Sequence, residues 1–129
     1  MGTGPIQENP KGTLGRHGED LAARFLKKKG FSILARNVRS RYGEIDIIAL
    51  ERGQTVFVEV RSLGASRWHL PEETIGAKKQ QRLSRAALAY LQQHGLEDRP
   101  ARFDVIAVEA EGVKAIIRHI PNAFEIWED

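Results

Sequence analysis

The chain has 129 residues, 41% of them hydrophobic, which suits one domain able to bury a core without staples. It has no cysteine, so disulfides and thiolate metal sites are excluded, and any metal must be held by oxygen or imidazole. A net charge of +3 with a pI near 9.4 is too mildly basic to name nucleic acid as a partner, so the question passes to how the charge is distributed.

The opening MGTGPIQENPKGTLG lacks a charged region followed by an apolar stretch, and no run of about eighteen apolar residues follows anywhere. A soluble, unprocessed, cytoplasmic protein without a membrane partner is expected. Residues 1–14, rich in Gly and Pro, should form a flexible arm, and residues 15–129 a single domain. A helix is predicted from Gly18, with Glu19 and Asp20 in its first turn, Leu21, Ala22, Phe25 and Leu26 on one face, and Lys27 to Lys29 before the stop at Gly30. Phe31–Arg36 reads as a short strand, and Ile45–Leu50 with Thr55–Val60 as a hairpin turning at ERGQ. A second amphipathic helix is predicted to end at Gly95, with Leu83, Ala87, Tyr90 and Leu91 on one face. Two strands, ARFDVIAVEA and VKAIIRHI, turn around Glu111 and Gly112 and precede a tail from Pro121. Helix, three strands, helix and two strands make an α/β chain with a central mixed sheet and helices on its faces.

The hairpin carries charges where burial is expected. Alternation groups Ile45, Ile47 and Ala49 on one face, Glu44, Asp46 and Ile48 on the other, and Glu59 and Arg61 opposite the valines of their strand. A turn centred on Arg52 and Gly53 sets Leu50 against Thr55, and the same register sets Asp46 against Glu59 and Glu44 against Arg61. Cross-strand Cβ atoms lie about 4.5–5.5 Å apart, where like charges repel. A divalent cation would relieve that repulsion, since carboxylate oxygens bind Mg²⁺ at about 2.0–2.1 Å. A solvated sheet face, with acids that discourage edge pairing, is the plainer alternative. Glu19 lies near the core-facing stripe of the first helix and can point at the sheet, or can simply complement the helix N-terminus.

Asp46, twelve further residues and then EVR at Glu59 to Arg61 resemble the D…(D/E)xK signature of the restriction-endonuclease-like nuclease superfamily. The segments GRHGEDLAARFLKKKGFSILARNVRSRYGEIDIIAL, VFVEVRS, AKKQQRLSRAALAYL and RFDVIAV are similar to the YraN family of predicted bacterial endonucleases, related to archaeal Holliday-junction resolvases. The resemblance spans nearly everything from Gly15 to Phe124. It implies a three-layer sandwich around a five-stranded mixed sheet, in which Glu19, Asp46 and Glu59 hold Mg²⁺ or Mn²⁺ for hydrolysis of DNA phosphodiesters. Branched DNA and a homodimer are implied by the same kinship, because a junction has symmetric strands. Where the superfamily usually carries lysine, this chain has Arg61. An arginine stays protonated and can neutralise charge without activating water, so an inactive nucleic-acid-binding protein on the same scaffold is the competing expectation. Arg61 could equally form a cross-strand pair with Glu44.

Candidate DNA contacts are Arg36, Arg39 and Arg41 before the hairpin, and Lys78, Arg82 and Arg85 at three- and four-residue steps on the second helix. Lys78 and Lys79 sit in a first turn where cations oppose the macrodipole, which a phosphate would relieve; for Lys79 alone a solvated helix face explains as much. Trp68, beside His69, can stack on an exposed base or pack. The four histidines lack metal-ligand spacing, and the glycines of KGTLGRHG lack the GK[ST] ending of a phosphate loop. Asp104 can face the site or pair with Arg102 on its own strand.

Overall fold

Helix α1 spans Gly12–Lys28. Five strands follow it, β1 Ser32–Ser40, β2 Gly43–Glu51, β3 Gln54–Leu63, β4 Ala101–Glu111 and β5 Lys114–Phe124, with helix α2, Ala77–Gln93, between β3 and β4. This computed structural model describes residues 12–63, 75–111 and 114–127. The expected arm lies outside them up to residue 11, as do Trp68, His69 and Gly112.

The strands form one sheet in the order β1-β2-β3-β4-β5, antiparallel except for the parallel pair β3–β4 that flanks the α2 crossover. Each face buries its own core. On one, Ala22, Ala23 and Leu26 of α1 pack against Ile47, Ala49, Val56, Val58, Ile106 and Val108. On the other, Leu83, Ala87, Tyr90 and Leu91 of α2 cover Ile48, Phe57, Phe103 and Val105. The predicted apolar stripes of both helices thus face the sheet, giving a helix–sheet–helix arrangement. Gly18 lets α1 settle closely, since a Cβ there would lie 2.3 Å from Ser62 Oγ.

The turn between β2 and β3 has Arg52 at φ 51° and Gly53 at φ 79°, the left-handed pair that suits a tight hairpin, and it sets Leu50 against Thr55 as predicted. Other details differ. Helix α1 begins six residues before Gly18, so its first turn holds no acid and Glu19 lies in the third turn. A macrodipole role for Glu19 therefore has no basis, because that field fades beyond the first turn. Strand β1 continues past Arg36 to Ser40, and β5 includes Pro121–Phe124, the start of the expected tail.

The β2–β3 ladder runs only to Ile47↔Val58, short of the expected Asp46↔Glu59 and Glu44↔Arg61 pairs. Alternation also breaks here. Ile47 and Ala49 pack under α1, yet Ile45 packs with the α2 core. On the neighbouring strand Asn37, at φ 51°, sits between the pairs Arg36↔Ile47 and Val38↔Ile45. A left-handed residue reverses the local pleat, and asparagine tolerates that conformation better than most.

Nearer the hairpin turn a polar brace joins the strands. Asp104, fully buried, accepts hydrogen bonds from Arg102 Nε at 2.9 Å and from the Asn122 backbone N–H at 3.0 Å, and lies 2.7 Å from His119 Nε2. Arg102 also reaches Gln54 and Glu51. Burial pushes the Asp104 carboxyl up, but His119 and Arg102 outweigh it and hold the group below its ordinary value. Its stabilising contribution is therefore complete above the unfolded-state pKa and is lost as pH falls through the lower folded-state pKa. Asp104→Ala should cost about 3–5 kcal/mol, because Arg102 and His119 lose a buried partner. Urea denaturation at neutral pH measures this, and the difference from wild type should shrink in strong acid.

Candidate metal centre

The break in β2 brings acids together. Regular alternation would have left Glu44 and Asp46 beside Ile48 on the α2 face; instead, carboxylate oxygens of Glu19, Glu44 and Asp46 all lie within 4.8 Å of one another, near α1. Glu19 and Asp46 are buried, 2% and 4% exposed, and Glu44 is half-buried. Helix α1 supplies Glu19 from the sheet-facing side that carries Ala22, Ala23 and Leu26. Asp46 accepts the Val60 backbone N–H at 2.8 Å, just beyond the end of the β2–β3 ladder.

Asn37 closes the group from β1. Its side-chain amide donates to Glu19 Oε1 at 2.9 Å and to Glu44 Oε2 at 2.8 Å, so its two hydrogens tie two like-charged carboxylates together. Arg36 lies 2.8 Å from Asp20 and 3.9 Å from Glu19, and Arg39 lies 3.6 Å from Glu44. Three clustered carboxylates form an all-oxygen donor set, which fits a hard divalent cation.

Glu59 stands slightly apart. It shares a face of β3 with Phe57 and turns toward α2, where its Oε2 lies 2.7 Å from Lys79 Nζ and 4.0 Å from Arg61 Nη1. Burial first, and then the neighbouring Asp46 charge, raise the Glu59 carboxyl from an ordinary 4.5 to about 7 against the opposing pull of Lys79 and Arg61. The structure thus gathers Glu19 and Asp46 with Glu44, and sets Glu59, Arg61 and Lys79 beside them.

Of the candidate DNA contacts, Lys78, Arg82 and Arg85 are exposed on α2, opposite its buried stripe. Arg39 and Arg41 are exposed on the β1 side; Arg41 donates to the Tyr42 hydroxyl at 3.0 Å. Trp68 lies outside the described residues. Asp104 pairs with Arg102 in the brace above. Three residues had no sequence signal strong enough to mark them. Regular alternation groups Glu44 with the wrong face, Asn37 carries no charge, and Lys79 is one of two lysines on a helix turn that reads as solvated. Glycine-preceded GEID and the asparagine before VRSRYG were the visible hints.

Residues 18–108 match the model of the Uncharacterised protein family UPF0102. A UPF0102 protein of Symbiobacterium thermophilum is 47% identical over 112 residues, covering 86% of this chain and 95% of the relative. Those of Desulforapulum autotrophicum and Syntrophotalea carbinolica are 45% and 43% identical, covering 92% and 88% of this chain and 98% and 93% of the relatives. Among solved structures, SfsA of Pyrococcus furiosus in complex with Ca²⁺ aligns with 83% of this chain and 62% of its own, at 16% identity and a TM-score of 0.37, a likeness too loose to establish a shared fold.

The Glu59 shift has a definite sign. Between about pH 4.5 and 7 the folded chain holds a proton that the unfolded chain has released, so stability falls as pH rises through that window and then levels. In a chelator, wild type should lose roughly 1–3 kcal/mol between pH 4.5 and 8 through this group, and Glu59→Gln should remove most of that loss. Urea denaturation of both proteins across the window checks it.

Proposed function

We propose that this chain, which belongs to the uncharacterised protein family UPF0102, is a metal-dependent endonuclease that hydrolyses DNA phosphodiester bonds, built on the restriction-endonuclease-like scaffold. One observation carries the reading: three carboxylates from α1 and β2 converge within 4.8 Å, and the Glu59–Lys79 pair stands beside them. A solvated surface would disperse such acids, whereas here Glu19 and Asp46 are buried. The described residues include no helix long and apolar enough to cross a membrane.

Glu19, Glu44 and Asp46 would hold Mg²⁺ or Mn²⁺, with Asn37 fixing two of their carboxylates. When bound, such an ion polarises a phosphoryl oxygen and lowers the pKa of its water. In the hydrolysis an oxygen–phosphorus bond forms from water and one phosphorus–ester bond breaks. Water's proton leaves to solvent, and the departing oxygen gains one. Lys79 supplies positive charge toward the phosphate, and exposed Lys78, Arg82 and Arg85 provide backbone contacts that position without reading sequence.

Arg61 favours a second reading, a non-catalytic DNA-binding protein, because a guanidinium does not take up a proton from water. Against it, three clustered acids repel the phosphates that such a protein must hold. Branched DNA is the proposed preferred substrate. Two copies would serve its equivalent strands, a number that sedimentation of the junction complex reads.

Wild type should nick supercoiled plasmid and cut a four-way junction in Mg²⁺ or Mn²⁺, and Asp46→Ala or Glu19→Ala should lower the rate by about two orders of magnitude or more. No cutting of either DNA, or cutting that Asp46→Ala retains, would overturn the assignment. Divalent cation at a hundredfold excess over its Kd should also stabilise the protein by about 2.7 kcal/mol. Thermal melts should show that gain largely lost in Glu44→Gln.

A further inference from the structure

Helix α2 starts with two lysines, Lys78 and Lys79, with no acid in its first turn and no side-chain cap at Gly76. Cations there oppose the macrodipole, so an anion must compensate if they are to be fixed in place. For Lys79 that anion is Glu59, 2.7 Å away. The carboxylate is buried, 5% exposed, and comes from a central strand, whereas the lysine side chain is 37% exposed. Glu59 is thus a rigid internal anchor, and Lys79 is a surface cation held by it. An ammonium has three N–H donors, and a single carboxylate at this distance does not engage them all.

Charge placement makes the pair consequential. Glu19, Glu44 and Asp46 form an anionic patch that a phosphodiester must approach. Arg36 and Arg39 are already engaged with Asp20 and Glu44. Arg61 reaches Glu59 only at 4.0 Å. Lys79 is a half-exposed cation held at 2.7 Å by a carboxylate outside the Glu19–Glu44–Asp46 group.

On the nuclease reading above, we infer that Lys79, carried on α2 and oriented by Glu59, contacts the substrate phosphate, and that Arg61 is dispensable for that contact. Glu59 is then a positioning residue that acts through Lys79, and the cation falls to Glu19, Glu44 and Asp46. A compact ammonium on a flexible stem can keep one bond to Glu59 while the phosphate takes another.

The test uses the full chain with Lys79→Ala, Lys79→Arg, Arg61→Ala and Asp46→Ala, with folding checked by thermal melts. Binding of a fluorescent four-way DNA junction is measured by anisotropy in chelator, from low salt upward, and kcat and KM are measured with Mg²⁺ on the same junction. Lys79→Ala should reduce the slope of log affinity against log salt by about one and lower kcat by about a hundredfold. Lys79→Arg should restore the slope, and Arg61→Ala should leave it unchanged. A role confined to holding α2 in place would lower the melting temperature without moving the slope. An unchanged slope in Lys79→Ala, the loss appearing in Arg61→Ala instead, or no DNA binding by wild type at low salt would overturn the contact. If Asp46→Ala abolishes cutting but Lys79→Ala does not, this inference fails and the nuclease reading stands. If wild type never cuts but Lys79→Ala still loses the slope, the phosphate contact stands and hydrolysis is the part that falls.

Discussion

Everything distinctive about this molecule turns on one hydrogen bond, from the Val60 backbone N–H to the Asp46 carboxylate at 2.8 Å. It lies where the β2–β3 ladder ends, and a side chain there takes a donor that a strand carbonyl would ordinarily accept. With the ladder released, β2 is free to depart from strict alternation. Ile45 enters the α2 core while Glu44 and Asp46 meet Glu19 of α1. Asn37 makes the matching adjustment on β1, through its left-handed backbone and an amide shared between Glu19 and Glu44. A run of regular strand would bury the same apolar residues at lower electrostatic cost but would leave these acids on the far face.

The acids and the cations beside them divide across the sheet. Glu19, Glu44 and Asp46 gather with α1, whereas Glu59 is the buried end of a pair whose other end, Lys79, belongs to α2. Both helices are therefore needed to complete the polar region, and the sheet keeps its parts in register. The Arg102–Asp104–His119 brace is a contrasting polar group, since its hydrogen bonds are satisfied internally and its charges face one another. One cluster stabilises the fold, and the other stores repulsion.

Much of this was legible in the sequence where periodicity is regular. The apolar stripes of both helices, the Arg52–Gly53 turn and the Leu50↔Thr55 pairing follow from spacing and turn chemistry. So did the candidacy of Glu19 and Asp46, which the fold brings together. Legibility ended where alternation did. Counting by twos from Ile47 places Ile45 on the wrong side and hides Glu44, because nothing in GEIDIIAL announces a change of face. The start of α1 was obscured by glycines at 12, 15 and 18, which weaken helix propensity even where packing imposes a helix. The Glu59–Lys79 pair joins residues twenty apart on different elements, a contact that no local pattern encodes.

Strand order also sets a timetable for a chain emerging from the ribosome. Strands β1, β2 and β3 are consecutive and antiparallel, so they can zip from nearby turns, whereas the parallel β3–β4 pair must close across the stretch that contains α2. The three clustered acids have all been synthesised by residue 46, well before Lys79 exists to dock. Glu59 likewise precedes its partner Lys79, so the late-arriving crossover helix completes both the hydrophobic layer over the sheet and that ion pair.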